Sequence, residues 1–285
     1  MRAGAGLVAM ALLAAPLAGQ APGVVLTEPG SVRGAALQGS GAALMGDAGS
    51  VFTNPAGLAM IPNIALEASY YRLTLQNKLF AGAFGWRLGQ FNFGAGLKYL
   101  DHGSGNDYDA LGVGSLIYRF GMIALGGSAK LLREQTGTGR VQGLSGDLGM
   151  AIAVFDLMAL GFSVQNVAGN WQDTPLIMPR LMRLGFTMNY VDPQESFRLL
   201  STLEGQWSEG RGGRLVVGLE GGMVVGHAVG VIGRVAYGSR FEGTTTSRLT
   251  YGVSAELGWV LVDYALEPED ALGQRGQRLG VRLML

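Results

Sequence analysis

The chain has 285 residues, of which 48 are glycine, 9 proline and none cysteine, and its 21 basic and 21 acidic side chains cancel. Glycine stands at more than twice its usual share of about 7 %, but without a G-X-Y period and with few prolines, which excludes a collagen-like or disordered chain. Balanced charge excludes a nucleic-acid footprint, the lack of cysteine excludes a disulfide framework or thiolate metal site, and a charged fraction of 15 % is about half of what a well-solvated surface carries.

At the amino terminus, Arg2 precedes the apolar run Leu7–Ala15, followed by Pro16 and the small residues Ala18, Gly19 and Ala21. This layout predicts a secretory signal peptide over residues 1–21, cleaved near Gly19 to Ala21. The run is shorter than the roughly 20 residues that a spanning helix needs. Residues 22–62 differ in character. They are rich in Gly, Ala and Ser, alternate weakly, and predict short helices over Arg33–Leu44 and Ala48–Phe52, broken by Gly and Pro. The segment reads as a small folded unit outside any sheet.

From residue 63 to 285 the pattern changes to strict alternation of apolar with small or polar residues. In Gln90–Tyr99, Phe91, Phe93, Ala95, Leu97 and Tyr99 share one face, and Gln90, Asn92, Gly94, Gly96 and Lys98 the other. Successive strand side chains point to opposite faces, so this period separates an apolar surface from a polar one. About fourteen such runs, bounded by turn residues, are expected: 65–74, 78–87, 90–101, 109–119, 121–133, 141–155, 157–166, 180–191, 196–208, 213–226, 228–238, 247–257, 259–267 and 276–285. Most approach the 9–11 residues of a tilted membrane strand.

The connections alternate too. After most even strands they are very short, as at Leu88-Gly89, Phe120-Gly121, Phe155-Asp156, Gly226-His227 and Gly258. After most odd strands they are longer and polar: 102–108, 134–140, 167–179, 239–246 and 268–275. Tight turns at one end and longer loops at the other are expected of an outer-membrane barrel. Leu75-Gln76-Asn77 and 191–195 are the exceptions.

The apolar face carries large side chains such as Phe80, Phe84, Leu148, Leu184, Leu219 and Leu279. The opposite face carries Gly, Ala and Ser plus Lys98, Lys130, Asp147, Arg183, Glu204, Glu220, Arg234, Glu256, Asp263, Arg278 and Arg282. A soluble sandwich would expose the charged face and make it larger. A mostly small face suits a crowded interior in which acids and bases pair around a plug. Trp86, Tyr190 and Trp259 fall near short-turn ends, and Tyr99, Trp207 and Tyr237 near long-loop ends, as interfacial girdles do. Because lipid offers no hydrogen bonds, such strands must close on themselves. The expectation is an all-β, transmembrane antiparallel barrel of about fourteen strands in the bacterial outer membrane, with an amino-terminal plug in its lumen.

Gly34-Ala35 through Gly46, followed by Asp47–Ala59 with Asn54-Pro55-Ala56-Gly57-Leu58 at its centre, resembles the amino-terminal signature of the PorV/PorQ family of outer-membrane proteins, which is related to the FadL-type fatty-acid transporters. Pro179–Gly185 and Val262–Leu266 are similar to further family segments, and the resemblance spans the mature chain. It implies a fourteen-stranded barrel plugged by its amino-terminal segment, and a role beside type IX secretion. The chain departs from the pattern in ending on Leu285 rather than an aromatic, and in its short outer loops.

Catalytic residues, metal sites and cofactors are not expected. His102, with Asp101, Asp107 and Asp109 nearby, would allow a rim hydrolase or an oxygen-ligated calcium site, but a solvated loop is the simpler reading. The other histidine, His227, falls at the opposite end. Gly39, Gly41 and Gly46 lack the Lys-Ser/Thr that a phosphate loop needs. Asn54–Leu58 reads either as a turn that seats the plug, with Pro55 fixing φ and Gly57 permitting the bend, or as a gate for an apolar ligand. The inward charges read as structural pairs or as a selectivity ring.

Two functions follow: a binding and scaffolding component linked to protein export, partnered by secretion-machinery or cargo proteins, or a FadL-like passive carrier of a small hydrophobic ligand. Outer-membrane lipid is a partner in both, and nucleic acid in neither. An apolar tunnel ending at a kinked strand would favour transport; a charge-paired interior would favour scaffolding.

Overall fold

The computed structural model describes residues 23–285, apart from 75, 104–106, 138, 156, 191–196, 226–228, 245–247 and 269–274. The expected signal peptide over residues 1–21 and His227 lie outside the described residues. Fourteen antiparallel strands follow one another: β1 (Ile64–Arg72), β2 (Lys78–Leu88), β3 (Phe91–Asp101), β4 (Tyr108–Phe120), β5 (Ile123–Thr136), β6 (Gly139–Val154), β7 (Met158–Gln165), β8 (Leu181–Asn189), β9 (Phe197–Ser208), β10 (Gly212–Val225), β11 (Val229–Gly238), β12 (Leu249–Leu257), β13 (Val260–Glu267) and β14 (Gly276–Met284). Each pairs with its sequence neighbours, and β1 pairs with β14, so the sheet closes. Ile64 and Leu285 exchange backbone hydrogen bonds at 2.9 and 2.8 Å across the seam. Closure leaves no strand edge unpaired, which is the condition for crossing lipid with strands.

The outer surface is the apolar face. Leu97, Leu148, Val231 and Leu279 are all more than half exposed, which in water would be a large unfavourable area and in hydrocarbon is the solvated state. Aromatic pairs mark both ends of this belt. Tyr99 stacks on Tyr108 at 5.4 Å and Tyr70 meets Phe80 at 5.1 Å near the long-loop end, while Phe91 meets Tyr118 at 5.1 Å near the short turns. The two-residue turns Gly89-Gln90, Gly121-Met122 and Gly258-Trp259 place glycine at φ 63°, 61° and 62°, the left-handed start that a tight hairpin needs.

Two local expectations are corrected. The helix expected over Arg33–Leu44 is only α2, Val32–Ala36, because Gln38 and Gly39 turn left-handed (φ 58° and 74°) and the Gly39 amide closes back on the Gly34 carbonyl at 2.7 Å. The loop expected over 134–140 is absorbed into the sheet, since β5 and β6 pair out to Thr136 and Gly139. Between β9 and β10, residues 209–211 make the short turn that the expected runs 196–208 and 213–226 imply.

Residues 23–63 fill the lumen before β1 begins. They comprise α1 (Val24–Thr27), α2, and two 3-10 turns, Ala48–Phe52 and Pro55–Met60. Ser31 caps α2 by accepting the Gly34 amide, and Asn54 caps the second 3-10 turn by accepting the Ala56 amide. Val25, Val51, Phe52, Leu58 and Ile61 from this plug are buried with Leu79, Leu100, Ile117 and Leu132 from the wall.

Candidate functional site

Two unlike halves of the wall hold the plug. Along β10 to β14, alternation aims one polar side chain per strand inward at a common level: Glu220, Arg234, Ser254, Asp263 and Arg282. With Arg33 and Asp47 of the plug they form a closed ring of alternating charge. Arg33 Nη1 meets Asp47 at 2.6 Å, Asp47 meets Arg282 at 2.7 Å, and Arg282 meets Asp263 at 2.6 Å. Asp263 lies 3.4 Å from Arg234, which meets Glu220 at 2.7 Å, and Glu220 returns to Arg33 at 2.8 Å. Ser254 hydrogen-bonds both Arg234 and Asp263. All ring members are buried. Burial disfavours the charged forms of Arg33 and Asp47, but the opposite charges outweigh it. Glu220 and Asp47 hold the Arg33 guanidinium above its ordinary value, and Arg33 and Arg282 hold the Asp47 carboxyl well below the usual range.

Other inward charges grip the plug individually. Glu204 on β9 accepts the Gly41 and Ala42 amides at 2.8 Å each through one oxygen, and Arg183 at 3.0 Å through the other. Lys98 donates to the Glu28 carbonyl at 2.6 Å, and Arg278 pairs with Glu28 at 2.8 Å. Lys130 pairs with Asp147 at 2.8 Å. Glu256 belongs with none of these pairs among the described residues. It keeps the inward parity of Ser254 but sits half-buried, one residue from the end of β12 at the short turns, away from the ring. His102 lies 3.1 Å from Asp109 on the opposite rim.

The β2–β8 half is built from small residues. A methyl group on Gly126 would stand 2.9 Å from the Ala56 nitrogen, and one on Gly149 would stand 2.9 Å from Pro55 Cδ and collide with Asn54 Oδ1. Only glycine lets the Asn54-Pro55-Ala56 backbone lie this close to β5 and β6. Asn54 Nδ2 donates to the Ala42 carbonyl at 2.6 Å and the Met150 carbonyl at 3.1 Å. Beside it, Ser163 and Gln165 of β7 donate to the Thr53 and Phe52 carbonyls at 2.9 and 2.6 Å. Gly57 and Leu58 continue the 3-10 turn, and Asn92 of β3 donates to the Leu58 carbonyl at 2.7 Å.

Sequence reasoning missed Arg33, Asp47, Glu28 and Glu67. The first three are the only charges in residues 22–62, a signal in a segment expected to be enclosed. Glu67 has the inward parity of β1, and it accepts the Gly49 amide at 3.0 Å.

Above the plug, at the long-loop end, lies a cavity of about 360 Å³. Leu26, Pro29, Phe52 and Phe241 give it apolar patches, and the charges that line it are Lys98, Lys130, Arg183, Arg211 and Arg214 against Glu28 and Glu267, a net excess of positive charge. Arg214 lies 4.8 Å over the Phe241 ring and is held by Gln206 and the Gln38 carbonyl, both at 2.8 Å. The lumen is thus neither a continuous apolar tunnel nor evenly charge-paired: the linked ionic ring is confined to the β10–β14 side, and β2–β8 carry mostly small or apolar residues with separate charges at Lys98, Lys130, Asp147 and Arg183.

Fold and lumen together define a plugged, membrane-spanning β-barrel of the outer-membrane kind. Solved structures share this fold. The toluene transporter TbuX of Ralstonia pickettii superposes with a TM-score of 0.59 at 16 % identity, covering 90 % of this chain and 98 % of its own. A FadL homologue of Pseudomonas aeruginosa gives 0.58 at 12 % identity over 88 % and 97 %, and the Pseudomonas putida toluene transporter TodX gives 0.57 at 10 % over 88 % and 96 %. At these identities the likeness is one of fold. No protein-family model and no curated protein matches the chain.

Proposed function

We propose that this chain is a plug-gated, passive route for small hydrophobic molecules across the bacterial outer membrane, in the manner of the FadL-type barrels whose fold it shares. The observation that carries this reading is the 360 Å³ cavity at the long-loop end, part apolar and part cationic, whose floor is the plug. Clefts of this size with a few placed polar groups are typical small-molecule sites. Residues 1–21 direct export, and residues 22–62 form the gate, with Asn54–Leu58 seated on the glycine wall and the ionic half anchoring the rest. The test is uptake of radiolabelled toluene by cells with an intact outer membrane. Expression of the protein raises the initial rate, and sealing the cavity with Thr250→Trp removes the gain. An equal rate with and without the protein would sink the reading.

One observation favours the export-scaffold reading: a closed ionic ring suits a barrel that stays shut. Its outcome differs. Affinity purification from detergent-solubilised membranes would then recover secretion-machinery proteins, with no gain in toluene uptake.

A further inference from the structure

Below the Asn54 seat the lumen holds a second cavity, of about 220 Å³, at the short-turn end. Met45, Ala59 and Met60 of the plug face it from one side, Ala124 of β5 and Ala151 of β6 from the other, and Met122 and Phe155 stand on the turns at its mouth. Among the described residues its one lining charge is Arg119, whose guanidinium is turned to the Ala59 carbonyl at 3.4 Å and the Met60 sulfur at 3.9 Å.

The two cavities lie along the same strip of wall. Inward positions on β5 run from Lys130 at the upper cavity through Ser128 and Gly126 to Ala124 at the lower one. On β6 they run from Asp147, paired with Lys130, through Gly149 to Ala151. Six residues of strand are about 20 Å, and over that span the only inward side chain larger than serine on these two strands is Asp147, level with Ser128 and drawn up to Lys130; below it stand only Gly126 and Gly149. The Asn54-Pro55-Ala56 backbone, laid on Gly126 and Gly149, is what divides them. Its side-chain ties to the wall there are few: Asn54 to Met150, Ser163 to Thr53 and Gln165 to Phe52. The ionic ring grips the plug from the far side and does not need to break for this segment to shift.

The geometry points to a release-side ligand site: the cavity bounded by Met45, Met60, Met122 and Phe155 receives the apolar body of a small uncharged molecule, of the size of one benzene ring, after it has passed Asn54–Ala56. A protein cavity of about 150 Å³ has room for benzene, so 220 Å³ suffices in size for one substituted ring. Thioether sulfurs make favourable contacts with aromatic rings and adapt to irregular shapes, which suits a transient stop. The upper cavity, with five cations and two carboxylates in its lining, selects differently from the lower one, and a ligand would meet them in that order. This inference rests on the transport reading above.

The chain has no cysteine, so a single introduced thiol is a clean reporter. In the full chain in lipid nanodiscs, Met122→Cys is modified by a charged maleimide with and without toluene. Thr244→Cys reports on the upper cavity, and Leu257→Cys on the lipid-facing wall near the short turns. With toluene at ten times its Kd about one-tenth of sites stay free, so modification of Met122→Cys slows about tenfold while Leu257→Cys is unaffected. Adding Ala151→Phe, which fills the cavity, abolishes the protection. Protection of Thr244→Cys alone would overturn the release site and leave the transport reading standing. Protection of neither cavity would overturn both. Equal protection of Leu257→Cys would assign the effect to the bilayer and also overturn the site.

Discussion

Glu204 offers the sharpest test of how the plug is held. Its carboxylate is buried on β9 and occupied on both oxygens: Oε2 by the Gly41 and Ala42 amides, Oε1 by Arg183 and by Gln206 at 2.7 Å. Glu204→Ala leaves two plug amides without an acceptor and a buried guanidinium without its counter-charge. Breaking a buried pair by removing one partner costs about 3–5 kcal/mol. At about 1.36 kcal/mol per decade, the amides of residues 40–43 should exchange with deuterium between about a hundredfold and a few thousandfold faster, provided that opening of this segment governs their protection. Glu204→Gln keeps the shape and one carbonyl acceptor but loses the charge, so a smaller cost of about 1–3 kcal/mol and a rate gain of roughly five- to a hundredfold are expected. The assay is hydrogen exchange by mass spectrometry on the nanodisc-embedded protein, following a peptide across residues 38–46. If Glu204→Ala exchanged at nearly the parent rate there, or no faster than Glu204→Gln, the wall carboxylate would not be what seats this stretch, and the reasoning would fail.

Further outcomes follow from the same geometry. Gly149→Ala puts a methyl group against Pro55 and Asn54. Overpacking costs about 1–3 kcal/mol, so single-channel recordings should show plug openings that the parent lacks, and an unchanged closed trace would contradict the seat. Arg33→Met leaves Asp47 with Arg282 alone and Glu220 with Arg198 and Arg234. Unpairing at a buried site again costs about 3–5 kcal/mol, read as loss of amide protection over residues 31–36 while the barrel keeps its thermal midpoint. Because the folded Asp47 carboxyl is held below its ordinary value of 3.8, its contribution is complete above that value and fades only as pH falls below it toward the depressed one. Plug protection should therefore be the same at pH 7 and pH 5, after correction for intrinsic exchange, and weaken only below about pH 4. Loosening already at pH 6 would contradict the assignment.

How much was legible in the sequence differs from element to element. Each of the fourteen expected strands has its counterpart, because side-chain period is a property of consecutive residues and the membrane demands it along every strand. The girdle residues Trp86, Tyr99 and Trp259 were legible for the same reason, and all three are exposed at the ends of the belt. The loop expected over 134–140 failed because its polar residues at the outer rim satisfy the ladder as well as the apolar ones do, and hydropathy does not distinguish a solvated hairpin from a loop. The helix expected over 33–44 failed where Gln38 joined Gly39 in a left-handed turn.

The sequence by itself determined that the chain closes into a membrane barrel, which face meets lipid, and that a different segment precedes the first strand. It also placed Glu220, Arg234, Asp263 and Arg282 on the inner face, since parity along a strand is local information. Tertiary structure alone decided their partners. Arg33 and Glu220 stand 187 positions apart, and Arg282 and Asp47 235 apart. No periodicity links such pairs; they meet because closure brings β10 and β14 to one side of a lumen and the plug's three charges are enclosed there. The confinement of the linked ionic ring to one side and of the Gly126–Gly149 seat to another is likewise a consequence of strand order around the barrel, and so is the stacking of two cavities on either side of Asn54.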